Sequence, residues 1–68
     1  MNINQEIGFI MERAERISAF CGCNNLQIKA AGISAKNRFL EGASKANAIC
    51  AGVKVGLRWK RSGIAEIY

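Results

Sequence analysis

The sixteen residues 53-VKVGLRWKRSGIAEIY-68 decide the fold that this sequence predicts. Read in steps of two, one side of the stretch carries only aliphatic and aromatic residues: Val53, Val55, Leu57 and Trp59. Such alternation is typical of a half-buried strand. Residues 60–63 offer a polar turn in which Gly63 accepts a positive φ, and residues 64–68 are short and apolar enough to return beside the first strand. The stretch therefore predicts a C-terminal β-hairpin with an apolar face and a basic face.

A helix is predicted over residues 3–21. Apolar side chains recur there at spacings of four and three, which places one apolar stripe along a helix: Ile3, Ile7, Ile10, Ala14, Ile17 and Cys21. Gly22 follows, and it is expected to end this helix in a left-handed conformation. The stripe either packs on the chain's own sheet or forms a helix–helix contact with a second subunit.

The middle of the chain predicts one more strand and a second helix. Residues 26–31 alternate between outward and inward side chains, and Gly32 ends this short strand. Ser34 is the expected N-cap of a second helix that reaches about Ala51 and stops at Gly52. Gly42 then lies inside the helix, at a cost of about 1 kcal/mol relative to alanine.

The predicted element order is α-β-α-β-β in a single α+β domain covering residues 1–68. This is a small two-layer sandwich with both helices on one face of a three-stranded sheet. A chain of this length buries only about 60% of its unfolded surface, so self-association is expected to add stability. We expect a homo-oligomer, first of all a dimer, with this interface: Ile3, Ile7, Ile10, Ile17 and Tyr68.

The residue types present argue against catalysis, metal binding and membrane insertion. The chain has no histidine, so no nucleophile–base pair is evident, and we expect neither an enzyme nor a small-molecule substrate. The three cysteines, two of which (Cys21 and Cys23) are separated by one residue, do not match the ligands of a structural zinc site. We therefore expect no metal and no cofactor. The odd number of cysteines favours a reducing, cytoplasmic setting. No apolar run approaches the roughly 20 residues that span a bilayer.

Basic residues are concentrated in the second part of the chain. Residues 23–68 carry eight of the ten bases and two of the five acids. Such asymmetry points to an acidic partner, most often nucleic acid, although a solubilising net charge gives the same composition. The predicted phosphate-contacting residues lie on the hairpin and on the outward side of the first strand: Lys29, Lys54, Arg58, Lys60 and Arg61.

Three functions are compatible with these observations. The first is a small basic nucleic-acid-binding module that lays its hairpin on phosphates. The second is a compact protein-interaction module that occupies an acidic protein surface, since short, basic, enzyme-free chains are common among phage and mobile-element inhibitors of host complexes. The third is a structural subunit that self-assembles through the stripe of the first helix and through sheet edges.

Overall fold

A computed structural model describes residues 2–63 as three α-helices joined by two short connections. Helix α1 spans Ile3–Phe20, α2 spans Asn25–Leu40 and α3 spans Lys45–Arg61. Short connections make successive helices antiparallel, so α1 and α3 run in the same direction. Residues 2–63 contain no strand, and the predicted α+β sandwich with its three-stranded sheet is therefore wrong.

Each helix begins at a polar side chain that caps its first turn: Asn2, Asn24 and Ser44. Each of these side chains accepts a hydrogen bond from the backbone N–H three residues later, over 2.9 to 3.2 Å. At α2 the arrangement is reciprocal, because Gln27 Oε1 also accepts from the Asn24 backbone N–H at 2.9 Å. These caps satisfy backbone donors that the helix itself leaves unpaired and so fix where the helices start.

A glycine with positive φ follows each helix: Gly22, Gly42 and Gly63. After α1 the Cys23 N–H donates to the Ser18 carbonyl at 3.1 Å, and after α2 the Ala43 N–H donates to the Arg38 carbonyl at 3.2 Å. These are the closing bonds of a Schellman motif. The predicted stop at Gly22 is confirmed. Gly42, predicted inside a helix, instead separates two helices, so the single second helix over 34–51 is wrong.

The two predicted strands within residues 2–63 are both helical. Residues 26–31 form the first half of α2, so Gly32 does not end an element and Ser34 is not a cap. Residues 53–61 form the second half of α3, which replaces the first strand of the predicted hairpin. Residues 64–68, predicted as its second strand, lie outside the described part of the chain.

Helix α3 packs most extensively on α2, through a row of small residues. A Cβ at Gly52 would meet the Ala31 carbonyl oxygen and would lie 2.7 Å from Ala35 Cβ. One turn later, a Cβ at Gly56 would lie 3.2 Å from Ala31 Cβ. Real Cβ atoms do not approach as closely as at Gly52, so glycine is required there, whereas a Cβ at Gly56 would need its neighbours to move by a few tenths of an ångström. The predicted helix stop at Gly52 is therefore a contact point in the middle of a helix.

The core between the helices is built mainly from alanine. Ile10 is the largest side chain that is fully buried, and the remaining buried cluster consists of Ala14, Ala35 and Ala48. Half-buried side chains of α2, of α3 and of the connection between them cover this cluster: Phe39, Ala43, Ile49 and Val53. The apolar stripe of α1 thus supplies the core of its own chain at Ile10 and Ala14, while both ends of the stripe stay partly exposed.

The close approach at Gly52 predicts opposite effects for the same substitution at two helical glycines. Gly52→Ala is expected to lower the free energy of unfolding by about 2 kcal/mol, because overpacking outweighs the higher helix propensity of alanine. Gly8→Ala is the matched control, since a Cβ at Gly8 has no neighbour within 4 Å. It should raise stability by about 0.5–1 kcal/mol. Urea denaturation measures both; equal effects would contradict the packing described here.

Replacing the buried Ser18 by alanine is expected to stabilise the protein. Its side chain is fully buried, and its hydroxyl has no hydrogen-bond partner among residues 2–63. An unpaired buried hydroxyl costs free energy that alanine does not. We therefore expect Ser18→Ala to raise the free energy of unfolding by about 1 kcal/mol, measured by urea or thermal denaturation. A clear loss of stability would mean that the hydroxyl does have a partner in the folded protein.

Candidate nucleic-acid interface

Three basic side chains form a stripe along the outer face of α3: Lys54, Arg58 and Arg61. Their spacings of four and three residues place them on one face of the helix, and all three are exposed. Within residues 2–63, none of them lies within ion-pair distance of a carboxylate. Helix α3 itself contains no acidic residue. The α3 stripe is therefore a line of uncompensated positive charge about 10 Å long.

The α3 stripe borders a polar groove of about 730 Å³ between α2 and α3. Lys54 and Arg58 line this α2–α3 groove together with hydrogen-bonding side chains from both helices: Ser34, Asn37 and Asn47. Arg38 and Glu41 also line the groove, and their charges are paired with each other, since the Arg38 guanidinium lies 3.6 Å from the Glu41 carboxylate. The unpaired charge at the groove thus comes from α3, and the neutral polar groups come from both walls. This chemistry suits a phosphate or another anion.

Lys60 does not belong to the stripe, although the sequence predicted it as a phosphate contact. Its Nζ donates a hydrogen bond to the Cys21 carbonyl oxygen at 2.9 Å. Cys21 caps the C-terminus of α1, where backbone carbonyls lack partners within the helix. Lys60 therefore joins the end of α3 to the end of α1, and a cation at this position also complements the helix dipole.

The bundle brings together three of the five predicted phosphate-contacting residues. Lys54, Arg58 and Arg61 share one face, whereas Lys60 points toward α1. Lys29 is exposed on the first half of α2 and does not line the α2–α3 groove. Its predicted place beside Lys54 depended on neighbouring strands, and residues 2–63 have none. The groove's Asn37, Arg38 and Asn47 were not predicted, because the two helices that present them were predicted as one.

Positive charge is concentrated at the end of the bundle where α1 and α3 finish and α2 begins. Residues 11–31 and 53–63 carry seven of the ten bases and two of the five acids. At the opposite end the charges are closer to balance, and two of the bases are paired: Lys45 with Glu6 at 3.1 Å, and Arg38 with Glu41. We call the first of these the basic end of the bundle.

The predicted oligomer-interface residues are divided between core and surface. Ile10 is fully buried, Ile7 is half-buried, and Ile3 and Ile17 are exposed. Tyr68 lies outside the described residues. The end of α1 presents a surface that combines Ile17 and Cys21 of the predicted stripe with three side chains that were not predicted as interface residues. Arg13, Arg16, Ile17, Phe20 and Cys21 line a shallow groove of about 380 Å³, which we call the α1 groove.

Two further structural features concern metal binding and membrane insertion. Within residues 2–63, no group of three or more histidine, cysteine or acidic side chains is placed to hold a metal ion. In the same range, Cys23 is buried, whereas Cys21 and Cys50 are exposed. None of the three helices combines the length and the apolar character needed to cross a bilayer.

Comparisons with protein-family models, with curated proteins and with solved structures find no match to this chain. Its function therefore has to be inferred from the chemistry of its own surface.

The contact between Lys60 and Cys21 predicts that two lysines of α3 differ in their effect on stability. Lys60→Met is expected to lower the free energy of unfolding by about 1 kcal/mol, because the Cys21 carbonyl loses its side-chain donor. Lys54→Met is the matched control and should change stability by less than about 0.5 kcal/mol, as is usual for a surface substitution. Thermal denaturation checks both, and equal effects would contradict a structural role for Lys60.

Proposed function

We propose that this protein is a small, non-enzymatic nucleic-acid-binding module that contacts phosphates through Lys54, Arg58 and Arg61. The observation that carries the proposal is the α3 stripe: three exposed bases on one helical face, with no carboxylate partner among residues 2–63. Lysine and arginine side chains that meet phosphates release condensed counterions, which drives binding. The protein contact is thus a helix, not the hairpin that the sequence predicted.

Complementation of the helix dipole explains only part of the α3 stripe without an external ligand. Basic residues in the last turn of a helix complement the helix dipole, and this accounts for Arg58 and Arg61 without any ligand. The dipole effect is confined to the last turn, whereas Lys54 lies nearly two turns before the end of α3 and still shares the same face. Lys54 therefore favours an external anion over a purely structural role.

The bordering groove supports contact with a chain of phosphates. Ser34, Asn37 and Asn47 offer neutral donors beside Lys54 and Arg58, and such side chains commonly contact the nucleic-acid backbone. The odd number of cysteines supports a cytoplasmic, reducing site of action.

A protein-interaction module is the second candidate, and the exposed apolar residues of α1 favour it. Phe9 is 51% exposed and Phe20 is 92% exposed. Exposed apolar surface that is flanked by charged side chains is found at protein–protein interfaces. A partner recognised in this way would carry an acidic surface around an apolar centre, opposite to Arg13 and Arg16.

The proposal predicts a salt-dependent affinity that the α3 stripe controls. Fluorescence anisotropy with a labelled 20-base-pair duplex, repeated over a salt series, should give a slope of log affinity against log salt of about −3 or steeper. Replacing Lys54, Arg58 and Arg61 together by serine should weaken binding and make the slope shallower by about 2 to 3, because three phosphate contacts are lost.

The matched control removes the same number of positive charges elsewhere. Replacing Lys29, Lys36 and Lys45 together by serine should leave the slope nearly unchanged, since none of these residues lines the α2–α3 groove. Equal losses in the two triple variants would assign binding to net charge and contradict a specific stripe. Absence of wild-type binding to any nucleic acid at low salt would refute the proposal.

A further inference from the structure

We propose that the preferred ligand is a single-stranded nucleic acid whose unpaired bases stack on Phe20 in the α1 groove. This inference rests on the proposed function and names its ligand class. It is carried by the combination of an exposed aromatic ring, two flanking arginines and continuity with the basic end of the bundle.

Phe20 is the last residue of α1 and is 92% exposed, far more than the other exposed large apolar side chains of residues 2–63. Its neighbours in the α1 groove include Ile17, which is 39% exposed. Single exposed apolar residues are ordinary, but here an aromatic ring and an aliphatic side chain lie together in a concave surface. The ring is accessible to a flat, apolar ligand.

The α1 groove also carries positive charge. Arg13 and Arg16 line it together with Phe20. The Arg13 guanidinium lies 5.7 Å from the centroid of the Phe9 ring, and Arg16 Nη2 lies 2.9 Å from Glu12 Oε1. These contacts favour particular orientations of the two arginines on the groove side of α1. An exposed aromatic ring in a groove that arginine side chains also line is a composition that binds bases by stacking and phosphates by charge.

The α1 groove is connected to the proposed phosphate contacts through Lys60. Cys21 lines the groove, and its carbonyl oxygen accepts the hydrogen bond from Lys60 Nζ at 2.9 Å. Lys60 directly precedes Arg61, the last residue of the α3 stripe. Among the described residues, this connection between Phe20 and Arg61 runs through Cys21 and Lys60, neither of which is acidic.

The geometry favours a single strand over a duplex or a protein. In a duplex the faces of the bases are covered by their neighbours, so an exposed ring on the protein has no base to stack on. A protein partner that covered Phe20 would also have to cover the arginines, which requires carboxylates in matching positions. A single strand supplies an aromatic face and a phosphate in each nucleotide, and so matches both parts of the groove.

The test replaces Phe20 and compares three nucleic-acid probes. The variants are Phe20→Ser, which removes the ring, and Phe20→Tyr, which keeps it. The probes are a 20-nucleotide oligothymidylate, an abasic strand of the same length and a 20-base-pair duplex, each measured by anisotropy. The abasic strand keeps the phosphates and sugars but offers no base to stack.

Leu40→Ser is the matched control. Leu40 is also the last residue of its helix, is 52% exposed and precedes the same glycine-ended turn, but it lies at the opposite end of the bundle. Circular dichroism should show that both serine variants remain folded, because neither side chain belongs to the buried core.

We expect wild-type protein to bind oligothymidylate more tightly than the abasic strand. Phe20→Ser should weaken binding to oligothymidylate about 5- to 150-fold, which is the usual effect of losing one stacked base. Phe20→Ser should not change the salt slope. Its affinities for the abasic strand and for the duplex should stay within twofold of those of the wild-type protein. Phe20→Tyr and Leu40→Ser should bind like wild type.

Failure of this inference is distinguishable from failure of the proposed function. If Phe20→Ser binds oligothymidylate like wild type while the stripe variant does not, stacking is refuted and phosphate binding stands. Equal wild-type affinity for oligothymidylate and the abasic strand also refutes stacking, and leaves the α1 groove for a protein partner. If the wild-type protein binds none of the three probes at low salt, both proposals fail.

Discussion

The close contact of Gly52 with Ala31 and Ala35 determines the rest of the structure. Side chains of ordinary size hold helices apart, whereas glycine and alanine let two backbones meet, and such a contact tolerates little rotation of either helix. With Gly52 and Gly56 packed against α2, a different face of α3, which borders the α2–α3 groove, is left exposed to solvent. Lys54, Arg58 and Arg61 occupy that face. The orientation of the charged stripe is thus a consequence of where the glycines lie.

The same row of small residues explains why the sequence predicted a strand. Gly52 and Gly56 form the centre of the buried face of α3, so the larger apolar residues stand on its two flanks. Val53 and Leu57 lie four residues apart on one flank, and Val55 and Trp59 lie four apart on the other. All four are half-buried. Because residues of the two flanks alternate along the sequence, the apolar residues recur at every second position, as they do in a strand. The β-propensity of valine and tryptophan reinforces this pattern.

Much of the fold was nevertheless accessible from the sequence. The first helix and its stop at Gly22 were predicted, and the remaining boundaries are encoded locally. Asn24 with Gln27, and Ser44 with Asn47, each place a capping side chain three residues before an amide, and Gly42 precedes the second pair. When these capping signals are weighted above the spacing of apolar residues, they predict two helices within residues 24–61. The proposed site was less predictable, because Phe20 and the arginines of α1 gain meaning only from which face the bundle leaves uncovered.

Packing through small residues also bears on why so much apolar surface remains outside. Half of the residues are apolar, yet within residues 2–63 Ile10 is the largest side chain that is completely buried. Helices that approach through glycine and alanine leave little space between them, so rings such as Phe20 stay at the surface whatever they bind. Exposure alone therefore does not identify a binding site. What separates Phe20 from the equally terminal Leu40 is its surroundings: Leu40 adjoins the Arg38–Glu41 ion pair, whereas Phe20 shares its groove with Arg16, which pairs with Glu12, and with Arg13, which has no ion-pair partner among residues 2–63. Charge, not hydrophobicity, distinguishes the two helix ends.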